Sequence, residues 1–153
     1  MITLKKHKPS DYSRTVNWLL DPLIKSSYGL TREINIYRHV SFLKKSPNVS
    51  IWGIYYHGLH IGNLTTIART KSLHEVQIFL GKRSLWGKRL ASKAILLFLA
   101  KTSKKTRLYV RCDARKIDFY QRLGFKISEQ LLCAHLHKTA ENVILLVWGK
   151  RNG

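Results

Sequence analysis

Residues 74–91, HEVQIFLGKRSLWGKRLA, constrain what this chain can fold into more than any other stretch. An alternating run from His74 to Leu80 stops at Gly81 and a short basic turn follows. A helix is predicted to open near Gly87 and to run through Leu90, Ala94, Leu97 and Phe98. Strand, glycine-bearing loop and helix N-terminus in that order form a ready site for an anion. The first N–H groups of a helix lack internal partners, and the helix dipole places partial positive charge there. Lys82, Arg83, Lys88 and Arg89 add full charges around the same turn. An ordinary strand–loop–helix connection with solvated lysines fits this stretch equally well when it is read alone.

Elements on either side follow from pattern and punctuation. Residues 2–7 read as a first strand. Ser10 is placed as the N-cap of a helix through Val16, Leu19 and Leu20, which Asp21-Pro22 ends. Thr31 is placed as the cap of a second helix carrying Ile34, Val40 and Leu43 as far as Pro47. Residues 51–56 and 61–67 flank the turn His57-Gly58-Leu59-His60 and predict a hairpin. After the helix that begins near Gly87 come a short strand at 108–112, a helix from Ala114 to Leu123 closed by Gly124, and two strands near 126–137 and 142–149. Residues 76–80 and 108–112 bracket a crossover helix and are predicted to be parallel.

Charge narrows the partners. The chain has 28 Lys+Arg against 8 Asp+Glu, a net +20. Between Lys82 and Lys126 there are 14 basic residues and 2 acidic ones. Such a field concentrates anions, so phosphorylated cofactors, nucleotide-linked substrates and nucleic acids all qualify. The longest apolar run, Ala94 to Ala100, is too short to span a bilayer. The N-terminal residues show no apolar secretion core. Cys112 and Cys133 fit no metal or redox spacing. A cytoplasmic protein is the expectation, with no metal and no membrane span.

With these elements in order, the sequence resembles the GNAT superfamily of acyl-CoA N-acyltransferases. Trp86-Gly87-Lys88-Arg89-Leu90-Ala91 is similar to its pyrophosphate loop, Q/R-x-x-G-x-G/A. Ile117-Asp118-Phe119-Tyr120-Gln121-Arg122-Leu123-Gly124-Phe125 is similar to its second signature. His60-Ile61-Gly62-Asn63-Leu64 matches the "I-G" of its third strand. The pattern departs at Ser84 (first loop position), at Arg89 (second glycine) and at Ala114 (usually Asn). The resemblance implies a single α/β domain over residues 1–153. Its sheet would be mixed and mostly antiparallel, with helices on both faces and a parallel splay of the fourth and fifth strands around the third helix.

The resemblance also implies acetyl-CoA as co-substrate, held by the fourth-strand backbone at Ile78, Phe79 and Leu80 and by the loop Arg83, Ser84, Leu85, Trp86, Gly87, Lys88, Arg89, Leu90 and Ala91. Tyr120 matches the residue that protonates the departing thiolate; packing under the sheet is its other reading. Glu75, the one acidic residue between Glu33 and Asp113, is a candidate general base, or else a strand-end carboxylate paired with a lysine. His57 and His60 are alternatives for the base because histidine titrates near neutral pH, although residues in a turn are more often just solvated, and His135 and His137 make a poor metal site. The opening helices resemble those of the branches acting on nucleotide-linked amino sugars or on ribosomal-protein N-termini. An anionic small-molecule acceptor such as a nucleotide-linked amino sugar suits the charge best. Protein N-terminal or lysine acetylation is an alternative. A nucleic-acid-binding GNAT-like protein with weak or no catalysis is the competing class.

Overall fold

The computed structural model describes residues 1–27, 35–112, 114–128 and 144–148. Its strands and α-helices are β1 (Ile2–Lys6), α1 (Asp11–Leu19), α2 (Pro22–Ser27), α3 (Ile36–Lys45), β2 (Val49–Tyr56), β3 (Leu59–Ala68), β4 (Leu73–Leu80), α4 (Leu90–Lys101), β5 (Arg107–Cys112), α5 (Ile117–Arg122), β6 (Lys126–Ile127) and β7 (Ile144–Trp148). The strands form a seven-stranded sheet in the order β1-β2-β3-β4-β5-β7-β6. β4 and β5 run parallel, whereas β1–β2, β2–β3, β5–β7 and β6–β7 are antiparallel. This is the mixed α/β sheet expected from the sequence. By contacts the chain divides into two compact units, 1–67 with 77–101, and 68–76 with 102–153.

In the first unit, Val16, Leu19, Ile24, Ile36 and Val40 of the three opening helices bury against Phe79 of β4. Full burial of each such side chain contributes about 1.5–3 kcal/mol. α1 ends ahead of Asp21-Pro22 as expected, and Pro22 then opens a further helix, α2, that the sequence reading did not place. Proline suits the first helical position, where its missing N–H is not needed. Ser10 does not cap α1: it adopts a helical backbone and makes no side-chain cap bond. Asp11 instead turns its carboxylate back to accept from Lys8 N at 2.9 Å. The cap of α3 is Asn35, whose side chain accepts from Arg38 N; Thr31 lies outside the described residues.

The β2–β3 turn is tighter than the sequence suggested. His57 (φ 48°) and Gly58 (φ 79°) are its two central residues, the backbone that a two-residue hairpin with right-handed strand twist demands. His60 is therefore in β3 and not in the turn. The register slips once: Ile54 pairs with Gly62 but Tyr55 pairs with His60, leaving Ile61 as an extra residue. At Gly62 an added Cβ would meet the Phe79 carbonyl at 2.3 Å, so only glycine lets β3 and β4 approach there.

In the second unit Leu73, Tyr109 and Val147 pack together. Level with Glu75 on β4 is Tyr109 on β5. β6 begins at Lys126 as expected and β7 is Ile144–Trp148; Cys133, His135, His137 and the turn near 138–142 lie outside the described residues.

Candidate active site

The first unit carries the loop. β4 ends at Leu80, and Gly81 sends its N–H to the Ile61 carbonyl at 2.8 Å. A Cβ on Gly81 would lie 2.0 Å from the Trp18 ring, so the glycine is what admits Trp18 against the strand end. Arg83, Ser84 and Leu85 form a single 3₁₀ turn. Arg83 pairs with Asp21 (Nε–Oδ2 3.3 Å), so this expected cofactor contact also ties the loop to the α1–α2 junction. Trp86 donates its indole N–H to the Leu80 carbonyl at 3.0 Å, fixing the loop's exit over the end of β4.

Gly87 has φ 78° and Arg89 has φ 58°. The second value explains the glycine of the resembled pattern: that position needs a left-handed backbone, which a side chain tolerates at a cost. α4 starts at Leu90, not near Gly87, and its first backbone bond runs from Lys93 N to Arg89 O at 3.1 Å. The N–H groups of Leu90, Ala91 and Ser92 precede that bond and have no place in the helical ladder. Lys88 and Arg89 are exposed beside them. On β4 itself Phe79 and Leu80 are buried and Ile78 is half-buried.

A polar network that the sequence did not signal lies in the same unit. His60 is 2 % exposed. Arg14 Nη1 lies 2.9 Å from its Nδ1, and Asn63 Oδ1 lies 2.8 Å from its Nε2. Arginine can only donate, so Nδ1 must accept and Nε2 must carry the proton. Asn63 then donates to Thr15 Oγ1 at 2.7 Å, and Thr15 donates to the Asp11 carbonyl at 3.1 Å. The tautomer, the amide orientation and the hydroxyl rotor are all set by one guanidinium. His60 and Asn63, three residues apart, would point to opposite faces of a regular strand; the slip at Ile61 brings them to one face. Only register could have revealed this. His57 is exposed, as expected.

In the second unit Glu75 is 1 % exposed and saturated with donors. Arg69 donates through Nε (3.2 Å) and Nη2 to Oε2, Tyr109 donates its hydroxyl to Oε2 at 3.0 Å, and Arg111 donates through Nε to Oε1 at 2.8 Å. Burial pushes the carboxyl up, but the Arg111 and Arg69 charges and hydrogen bonds outweigh it and hold Glu75 below the usual carboxylate range. An enclosed carboxylate that resists protonation is poorly suited to take a proton from an amine. This geometry speaks against the general-base reading. Its hydrogen-bond partners among the described residues include two arginines and a tyrosine.

Tyr120 is 6 % exposed, and its phenol is pushed up mainly by burial, so it stays protonated at neutral pH. Its carbonyl accepts from Phe125 N (3.1 Å), while Gln121 O accepts from Gly124 N (3.0 Å). These are the paired bonds of a Schellman cap, with Gly124 at φ 97° and the Tyr120 and Phe125 rings 5.6 Å apart. The signature Tyr-x-x-x-Gly-Phe is thus a helix stop whose hydrophobic contact uses the tyrosine. Ala114 opens a 3₁₀ turn before α5. Among the described residues no group of His, Cys, Asp and Glu is arranged to hold a metal ion, and no helix is long and apolar enough to cross a membrane.

Neither family profiles nor curated proteins give a match to the sequence. Solved structures do. A domain from Methanocaldococcus jannaschii matches with a TM-score of 0.75 at 20 % identity over 97 % of both chains. An aminoglycoside acetyltransferase, AAC(6')-Ib, in complex with coenzyme A matches with a TM-score of 0.76 at 16 % identity, over 98 % of this chain and 95 % of that one. The Campylobacter jejuni N-acetyltransferase PseH in complex with acetyl coenzyme A gives 0.65 at 13 % identity, over 98 % and 99 %. At these identities the likeness is one of fold.

Proposed function

Starting from a chain that has the GNAT fold, we propose that it is an acetyl-CoA-dependent N-acetyltransferase acting on a primary amine carried by an anionic molecule, with a nucleotide-linked amino sugar as the favoured acceptor. The observation that supports it most is the loop from Trp86 to Leu90. Two left-handed positions on either side of Lys88, Gly87 and Arg89, deliver the chain to a 12-residue helix whose first N–H groups precede its hydrogen-bond ladder. Backbone donors, helix dipole and the Lys88 and Arg89 charges converge as a diphosphate requires. The similar aminoglycoside acetyltransferase has been solved with kanamycin, a polycation. A net charge of +20 would repel such an acceptor and draw in an anionic one.

In the reaction the amine nitrogen attacks the thioester carbonyl, the C–S bond breaks, and an amide and coenzyme A result. Ile78, Phe79 and Leu80 are assigned to the alignment of the pantetheine arm and the oxyanion by their backbone. Tyr120, kept in its acid form by burial, is assigned to protonate the thiolate. The proton lost by the amine is assigned to solvent, since Glu75 and His60 have their acceptor atoms engaged.

Titration calorimetry with acetyl-CoA tests the reading. A micromolar or tighter constant, about −8 kcal/mol, is expected, and no heat at millimolar ligand would overturn it. A thiol-release screen over nucleotide-linked amino sugars, aminoglycosides and peptides then identifies the acceptor. With that acceptor Tyr120→Phe should lower kcat on the order of 10²-fold and leave acetyl-CoA affinity unchanged; full turnover would return Tyr120 to packing alone.

A further inference from the structure

Two guanidiniums share the single buried carboxylate of Glu75, and one would have sufficed to neutralise it. Among the described residues, the cluster therefore holds an excess of one positive charge at a fixed point. The placement follows from register: Glu75 pairs with Tyr109 across the parallel β4–β5 ladder, and Arg111, two residues further along β5, falls on the same face. Arg69 reaches in from the turn before β4, where its own N–H and that of Thr70 both donate to the Leu73 carbonyl.

What remains free decides the use of this cluster. Arg69 spends Nε and Nη2 on Glu75 and Tyr109, and Arg111 spends Nε. Arg69 Nη1 and both terminal nitrogens of Arg111 have no partner among the described residues. The side chains are 45 % and 38 % exposed, so these ends meet solvent while the carboxylate between them is sealed at 1 %. A free arginine loses rotamer entropy when a ligand immobilises it. Here the anchor has already removed that freedom, which is the condition for a preorganised receptor.

We propose that Arg69 and Arg111, held by Glu75 and Tyr109, form a forked receptor for an oxyanion of the acceptor molecule, a phosphate or a carboxylate. Calling the ligand part of the acceptor rests on the acetyl-transfer reading; the anion site itself does not. Planar guanidiniums match both oxyanions through paired N–H donors. The residues thereby discriminate against polycationic amines at the place of binding as well as at long range.

The test follows the Nε–Hε resonances of Arg69 and Arg111 in the ¹⁵N-labelled protein while inorganic phosphate or succinate is added. The signals are assigned with Arg69→Lys and Arg111→Lys, which keep the charge and lose the fork. Both resonances should move together and saturate. A tighter response to phosphate marks a phosphorylated acceptor and a tighter response to succinate a carboxylated one, and either supports the receptor. Each lysine variant should weaken the constant about tenfold or more. If a variant fails to fold, the wild-type titration still decides. Resonances that stay still at tens of millimolar of both anions overturn the proposal. The amides of Gly87 to Ala91 report the cofactor loop separately. If acetyl-CoA moves them and neither anion moves the arginines, the receptor fails and the enzyme reading stands. If the anions move the arginines and acetyl-CoA moves nothing, the acceptor assignment is overturned with the enzyme reading.

Discussion

Arg89 occupies a backbone position made for glycine. Its φ of 58° costs an L-residue about 1–2 kcal/mol, part of which the greater freedom of an unfolded glycine would take back. Arg89→Gly should therefore raise Tm by about 2–4 °C, as a net gain of about 1 kcal/mol does for a domain near this size. Thermal melts check this, and an unchanged or lower Tm would show that the guanidinium makes a compensating contact. Residue identity alone could not classify the titratable groups. His60 reads as a turn histidine but is buried in β3 between Arg14 and Asn63, and Glu75 reads as a lone base but is saturated by two arginines and a tyrosine. Each assignment depends on a partner distant in sequence.

Helix ends and strand register account for most of what the elements do. α5 is only six residues long, and its stop is specified by sequence: Gly124 supplies the left-handed turn and Phe125 folds back on Tyr120. Gly124→Ala adds a Cβ that would meet Trp148 only at ordinary contact, 3.5 Å. The cost is thus that of the backbone at φ 97°, about 1–2 kcal/mol, measurable as a lower denaturant midpoint with unchanged slope. A neutral result would mean that the turn relaxes without loss. The glycine stop was legible because it is chemical and local. The slip that leaves Ile61 unpaired was not, because nothing in HIGN marks an extra residue and only the partner strand counts it.

At the scale of the whole molecule, folding disfavours the charged form of two histidines among the described residues, His7 and His39. Burial, the largest cause, lowers His7 from 6.5 to about 4 and also lowers His39. The unfolded chain therefore binds more protons than the folded one below pH 6.5. Stability contributed by His7 is complete above 6.5 and is lost as pH falls from there to about 4. The slope is at most about 1.4 kcal/mol per pH unit per histidine, reduced by solvent because each ring is only partly buried. Urea midpoints measured from pH 7 to 4 should fall, and His7→Gln should flatten the fall. A profile identical to wild type would place the loss elsewhere.

The sequence by itself determined the element order except for α2, the mixed α/β class, the two-residue-period strands and the glycine-bearing loop ahead of a helix. Those features rest on side-chain periodicity and on backbone angles that only certain residues adopt, both local properties. It misplaced helix starts by a few residues at Leu90 and Ile36, because caps compete over short distances and packing decides among them. Tertiary structure alone decided which charges meet. Glu75, Tyr109 and Arg111 become neighbours only when β4 and β5 are laid in register, and His60 and Asn63 share a face only because one residue is left over. Pairing across strands is set by hydrogen bonds between segments far apart in the chain.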